Sequence, residues 1–255
     1  MVRPLAILLA ATGSAVPAVA QTTNEPTDVG AAPQQPFSVT GGVTSVSQYR
    51  FRGISLSDEK FAIQGTINLT HDSGFYAGVW SSSTDGFGER GGSNVEFDLY
   101  GGYTARIASG ATLDVGLLYY AYPGSKGGDF EFFEPYANVS GTLGPATAKV
   151  GVAYGFDQDG LANNSNVYVF GDASAGIPNT GFTLKAHVGY SKGSTRLSPS
   201  GEYFDWLVGT DYVTGPLTFG IAYVDTDLDG AKAPRGGASK DIVDAAIVVS
   251  LTASF

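Results

Sequence analysis

Apolar and polar residues alternate with a period of two along most of the 255-residue chain. Phe61, Ile63, Gly65, Ile67 and Leu69 interleave with Ala62, Gln64, Thr66, Asn68 and Thr70. Val95, Phe97, Leu99, Tyr103 and Ile107 interleave with Glu96, Asp98, Tyr100, Thr104 and Arg106. Phe37, Val39, Val43, Tyr49 and Phe51 share one parity, opposite Thr40, Gln48, Arg50 and Arg52. Strict alternation marks a strand with one apolar and one polar face. It predicts strands over 37–51, 61–70, 94–107, 146–157, 182–192, 203–213, 217–226 and 241–255. The pattern is weaker over 74–82, 111–122, 130–142 and 166–175, where both parities carry aromatic or small residues. These segments give about twelve strands, and no stretch has a helical period long enough to cover a sheet.

The connections alternate in length. Tight Gly-containing turns fall at 71–74, 108–110, 143–145 and 214–215, with longer polar loops at 53–60, 83–93, 123–129, 158–165, 193–202 and 227–240. Short turns at one end and long loops at the other describe an up-and-down transmembrane β-barrel, all-β and antiparallel. With both termini in the periplasm, every long loop faces the outside of the cell. A soluble sandwich or lipocalin also alternates, but it buries its apolar face. Against it, the strand charges Arg50, Arg52, Glu96, Asp98, Arg106, Asp114, Lys149, Lys185, Asp205, Asp211 and Asp244 nearly all share the polar parity. A barrel of about twelve strands is also too wide for side chains to fill easily as a solid core.

Composition narrows the class. The chain has no Cys, which removes disulfides, zinc ribbons and cysteine nucleophiles. Its formal charge of −10 argues against nucleic-acid binding. Residues 1–20 carry Arg3, an apolar run and Ala18-Val19-Ala20, the pattern of a signal peptide cleaved near Ala20. Cleavage removes one cation and no acid. Residues 21–36, rich in Pro, Thr, Gln and Ala, read as a flexible periplasmic tail, and 37–255 as the barrel. Ile247, Val249, Leu251, Ala253 and Phe255 share one face, and this terminal aromatic pattern resembles the signal read by outer-membrane insertion machinery. The expected setting is the bacterial outer membrane, with lipid around the wall, as a monomer.

On the polar parity, the pore-lining candidates are Arg50, Arg52, Glu96, Asp98, Tyr100, Arg106, Asp114, Tyr120, Lys149, Lys185, His187, Tyr203, Asp205 and Asp211. Arg50 and Arg52 end the first strand and Glu96 and Asp98 begin the fourth, so all four belong near the outer mouth. They read as selectivity charges or as neutralising pairs. The tyrosines read as a slide for solutes or as packing. Net acidity favours cations. Trp80, Phe204, Trp206, Tyr212 and Tyr223 suit interfacial girdles.

Several strings imitate other chemistry. Gly86 to Gly91 fits a dinucleotide fingerprint but opens no helix. Asp225-Thr226-Asp227-Leu228-Asp229-Gly230 begins like a calcium loop, yet its twelfth position is Gly236 instead of a bidentate Glu. That leaves a solvated turn or a weak Ca²⁺ clip, and no cofactor or metal is expected. The two histidines offer little for catalysis: His71 beside Asp72 and Ser73 is too local for a triad, and His187 faces the lumen. No enzyme is expected.

Ser47-Gln48-Tyr49-Arg50-Phe51-Arg52-Gly53-Ile54-Ser55 resembles the opening motif of the TorF-type porin family of proteobacterial outer membranes. Further similar stretches are 74–82, 96–103 and 119–124. The resemblance implies an outer-membrane channel of undefined substrate. The expected function is passive diffusion of small hydrophilic solutes or ions. The alternative is a non-conducting barrel for adhesion or support, with its lumen plugged; a lipid-hydrolysing barrel ranks below both. Modest loops and a Gly-rich wall favour an open, narrow lumen.

Overall fold

The computed structural model describes residues 36–85, 92–230 and 240–255. The strands in chain order are β1 (Phe37–Val46), β2 (Arg50–Phe51), β3 (Ile54–Ser55), β4 (Ala62–His71), β5 (Phe75–Ser83), β6 (Val95–Ala108) and β7 (Ala111–Ala121). They continue as β8 (Phe132–Leu143), β9 (Ala146–Gln158), β10 (Asn164–Gly176), β11 (Phe182–Gly193), β12 (Glu202–Thr214), β13 (Leu217–Thr226) and β14 (Ala246–Ser254). All except β2 and β3 form one closed antiparallel barrel, so the wall has twelve strands. The strands β4 to β14 each pair with the next, and β1 bridges β4 and β14. Closure leaves no sheet edge, which is what allows a sheet to sit in hydrocarbon with every backbone group paired.

Side-chain parity divides inside from outside as alternation predicts. Val39, Val43, Ile63, Ile67, Leu99, Val150, Val208 and Ile247 are exposed on the outer face, while their sequence neighbours turn inward. Outward aromatics gather at both rims. At the short-turn end, Phe37 meets His71, Phe75 meets Tyr103 and Phe182 meets Tyr212; at the long-loop end, Tyr119 meets Phe133 and Tyr190 meets Phe204. An apolar band between two aromatic rims is the exterior of a membrane barrel. Phe204, Trp206, Tyr212 and Tyr223 lie on this outward parity. Trp80 does not: it packs inside against Tyr49, ring centroids 5.2 Å apart.

Two strand boundaries differ from the sequence pattern. β1 ends at Val46 rather than 51, and the chain then bends inward. β14 begins at Ala246 rather than 241; residues 240–243 form a 3-10 turn that buries Ile242 and Val243. Asp244 therefore lies outside the strands and is exposed. The four weakly alternating segments are all wall strands. The leader and nearly all of the tail, the string 86–91 and residues 231–239 lie outside the described residues.

The wall closes at β1 and β14. Gly41 N donates to Phe255 O and Phe255 N to Gly41 O, both at 2.9 Å. The Phe255 ring lies over Gly41, where a Cβ would stand 2.7 Å from the ring.

Candidate functional site: the barrel interior

Inward tyrosines in the short-turn half lie flat along the wall, each across a glycine of the neighbouring strand. The Tyr100 ring covers Gly78, where an added Cβ would come within 2.6 Å. Tyr76 on β5 and Tyr136 on β8 reach toward each other over Gly102 and Gly116, and their hydroxyls meet in a short hydrogen bond. Tyr76 also donates to Asp114 Oδ1 at 2.6 Å, and Asn138 Nδ2 donates to Asp114 Oδ2 at 3.1 Å. Tyr100 donates to Asn68 Oδ1. Rings laid along the wall fill the gaps that glycines leave.

The opposite wall carries a charged ladder. Asp172 on β10 pairs in register with Lys149 on β9 and His187 on β11. Lys149 Nζ lies 2.9 Å from Asp172 Oδ2, and His187 Nδ1 is 2.6 Å from Asp172 Oδ1. His187 Nε2 faces Asp205 Oδ1 at 3.1 Å and the Tyr168 hydroxyl at 2.8 Å. Lys185 donates to Asp211 at 2.7 Å.

The long-loop half is filled. After β1, residues 48–57 turn into the lumen and are buried there, and β2 and β3 form a two-residue hairpin with Arg52 and Gly53 at its tip. Both tip residues have positive φ, +48° and +81°, the geometry of a type I′ turn. Glycine accepts this readily, whereas arginine is held there against its preference. Gly53 also sits tight against the far wall: a Cβ would lie 2.9 Å from Thr226 Cβ and 3.1 Å from Asp205 Cβ. Tyr49, Phe51, Ile54 and Leu56 are all buried with Tyr120, Tyr122, Phe132, Leu161, Tyr203 and Ile242. Burying each such side chain contributes about 1.5–3 kcal/mol, so the docked hairpin is the resting state.

The two arginines anchor it. Arg50 Nη1 donates to Ile242 O and to Gly53 O, both at 2.9 Å, and its Nε donates to Gln48 at 2.7 Å. Arg52 Nη2 donates to both Glu134 oxygens at 2.8 and 2.7 Å, and its guanidinium lies 4.0 Å over the Tyr168 ring. Burial opposes the Arg52 charge, and the Glu134 carboxylate beside it favours it. Removing one partner of such a buried pair costs about 3–5 kcal/mol, far more than the intact pair contributes.

Of the sequence candidates, Glu96, Asp98, Tyr100, Tyr120, Lys185, His187, Tyr203, Asp205 and Asp211 are buried inside, and Asp114 and Lys149 are half-buried there. Arg106 keeps the inward parity of β6 but is exposed at the short-turn rim. Arg50 and Arg52 are inside, yet on the hairpin rather than on the first wall strand. Glu96 and Asp98 flank that hairpin, and Tyr49 donates to Glu96 at 3.4 Å. The expected open lumen is therefore not met in the long-loop half. Sequence reasoning missed Glu134 and Asp172. Glu134 sits between Phe133 and Pro135 where both parities are aromatic, and Asp172 among small residues. Asp172 faces Lys149 across β9 and β10, which are joined by the long connection at 159–163 with a register shift at Asn164–Asn166, so no tight turn fixes that pairing in the sequence. Besides the Phe37 ring, His71 meets its neighbour Ser73, 2.7 Å from Nδ1. In the calcium-like string, Asp225 accepts from the Tyr223 hydroxyl and Asp227 from Phe204 N, so both carboxylates are turned to local donors.

The same fold occurs in solved porins. The NanC porin superposes with a TM-score of 0.57 at 13% identity, covering 86% of this chain and 99% of that one. The KdgM porin gives 0.58 at 10% identity, over 85% and 99%. A KdgM porin in complex with disordered oligogalacturonate gives 0.56 at 9%, over 86% and 99%. At these identities the likeness is one of fold. No curated protein matches the chain. The family model that matches, over residues 30–255, places this chain in Gcw_chp, a family of bacterial proteins of unknown function.

Proposed function

We propose that this chain is an outer-membrane channel through which small hydrophilic solutes or ions diffuse passively, as a monomer and without cofactor or energy input. The observation that carries the reading is the inversion of the barrel: an apolar exterior between aromatic rims around a charged, hydrogen-bonding interior in the short-turn half. Lys149, Asp172, Lys185 and Asp211 give the short-turn half a polar lining suited to water-borne solutes. In this reading the leader over 1–20 is removed near Ala20, residues 21–36 trail in the periplasm, Phe255 engages the insertion machinery, and the long loops face outward. The resemblance to TorF-type porins and the shared fold of the NanC and KdgM porins support it. Oligogalacturonate, a polyanion, accompanies one KdgM structure; here Lys149, Lys185 and Arg52 are each paired with a carboxylate, which favours small solutes over polyanions.

The filled long-loop half favours a second reading, a non-conducting barrel whose loops do the work. Planar-bilayer recording separates the two. Discrete, reproducible conductance steps are expected. Silence from barrels whose insertion is confirmed by heat-dependent gel mobility would remove the channel and leave the second reading.

A further inference from the structure

We infer that residues 48–56 are a displaceable plug, latched to the wall by Arg52 on Glu134, whose release opens the long-loop half of the lumen. This inference rests on the channel reading above. The hairpin touches inward-facing side chains all around the wall: Trp80 and Glu96 on one side, Tyr120 and Glu134 on another, Tyr168 and Asp205 across from them. It therefore occupies the cross-section rather than lining one face.

Its attachment is by side chains, apart from one backbone bond at its end, where Asp85 N, just past β5, donates to Leu56 O at 3.1 Å. β2 and β3 form a sheet of their own, and among the described residues no backbone hydrogen bond joins 48–55 to a wall strand. Undocking consequently breaks no rung of the barrel ladder, and the segment is a small cooperative unit of the kind that opens while the rest stays folded. The tip stores the means of release. Arg52 is held at φ +48°, and its buried Nε and Nη1 have no hydrogen-bond partner. Water satisfies both nitrogens and frees the backbone once the hairpin leaves. What opposes release is apolar burial, the Arg50 bond to Ile242 O, the Tyr49 bond to Glu96 and, as its buried ion pair, Arg52 on Glu134. Glu134 is thus a positioning residue: it acts on permeation through Arg52 and the hairpin.

The test compares single-channel records of the full chain with those of Glu134→Gln, Glu134→Asp and a variant whose residues 48–56 are replaced by a short Gly-Ser linker. The linker variant is expected to show the largest steps, nearly always open. The full chain is expected to reach the same step size rarely. Glu134→Gln raises its open probability on the order of a hundredfold, and Glu134→Asp, which keeps the charge, lies between. A merely structural role would leave step size and open probability unchanged in variants that insert normally. Equal conductance from the full chain and the linker variant would overturn the plug while leaving the channel. Silence from both would overturn the channel and the plug together. Should Glu134→Gln fail to insert, the linker comparison alone decides.

Discussion

Gly78 and Tyr100 meet across β5 and β6 as a bare backbone and a ring laid on it. The pairing recurs at Gly102 with Tyr76 and at Gly116 with Tyr136, and it gives one physical reason for the many glycines of this chain. A side chain at such a site lifts the ring off the wall and breaks its hydrogen bond. Gly78→Val is expected to cost roughly 1–3 kcal/mol by overpacking, measured by denaturant unfolding in detergent. Adding Tyr100→Ala in that background should recover part of the loss, because the clash goes with the ring. Gly53 answers to a different demand, a left-handed backbone pressed against Thr226. Gly53→Ala should undock the hairpin and leave the barrel standing. Trypsin would then cut after Arg50 or Arg52, which it cannot reach in the parent, while heat-dependent gel mobility stays unchanged.

Strand parity is a claim about two solvents, and β4 offers a clean trial of it. Ile67 points out from the middle of the strand and Gln64 points in. A lysine at position 67 should destabilise the barrel by about 2–4 kcal/mol, the cost of a cation at mid-bilayer on the outer face. Gln64→Lys should cost markedly less, and equal costs in lipid-vesicle unfolding would contradict the assigned faces. Period-two alternation made the wall legible from the sequence, down to which of Lys149, Lys185, Asp205 and Asp211 turn inward. It failed over 47–56 for a physical reason. Tyr49 and Phe51 alternating with Gln48, Arg50 and Arg52 look the same in a wall strand as in a hairpin buried on both faces. Only the positive φ at Arg52 and Gly53 tells them apart, and arginine does not announce it. Trp80 was misread because Phe75 and Tyr76, like Val79 and Trp80, put bulk on both parities of β5. Glu134 escaped because Phe132 and Phe133 do the same on β8.

At the scale of the whole barrel, the interior field is set by what remains after pairing. Lys149 and Asp172, Lys185 and Asp211, Arg52 and Glu134 largely cancel. Asp114 accepts only neutral donors and has no ion pair among the described residues. Asp114→Asn should therefore move the reversal potential under a salt gradient toward anions, and an unchanged potential would take Asp114 out of the conduction path. Glu96 and Asp98, which the pattern of charges marks as selectivity residues, lie against the docked hairpin; lysines there should disturb its seating before they tune any current. The seam of the wall has a consequence in time. Every other wall pairing joins neighbours in sequence, with β1 and β4 separated only by the hairpin loop, and each can form as soon as its two strands exist. β1 and β14 meet across 208 residues, as between Thr44 and Thr252. The entropy of that long closure is paid before its contacts reward it. A meander thus assembles quickly and waits, curled but open, for one slow event, and substitutions at Gly41 or Phe255 should act on the rate of that final step more than on the strength of the rungs already made.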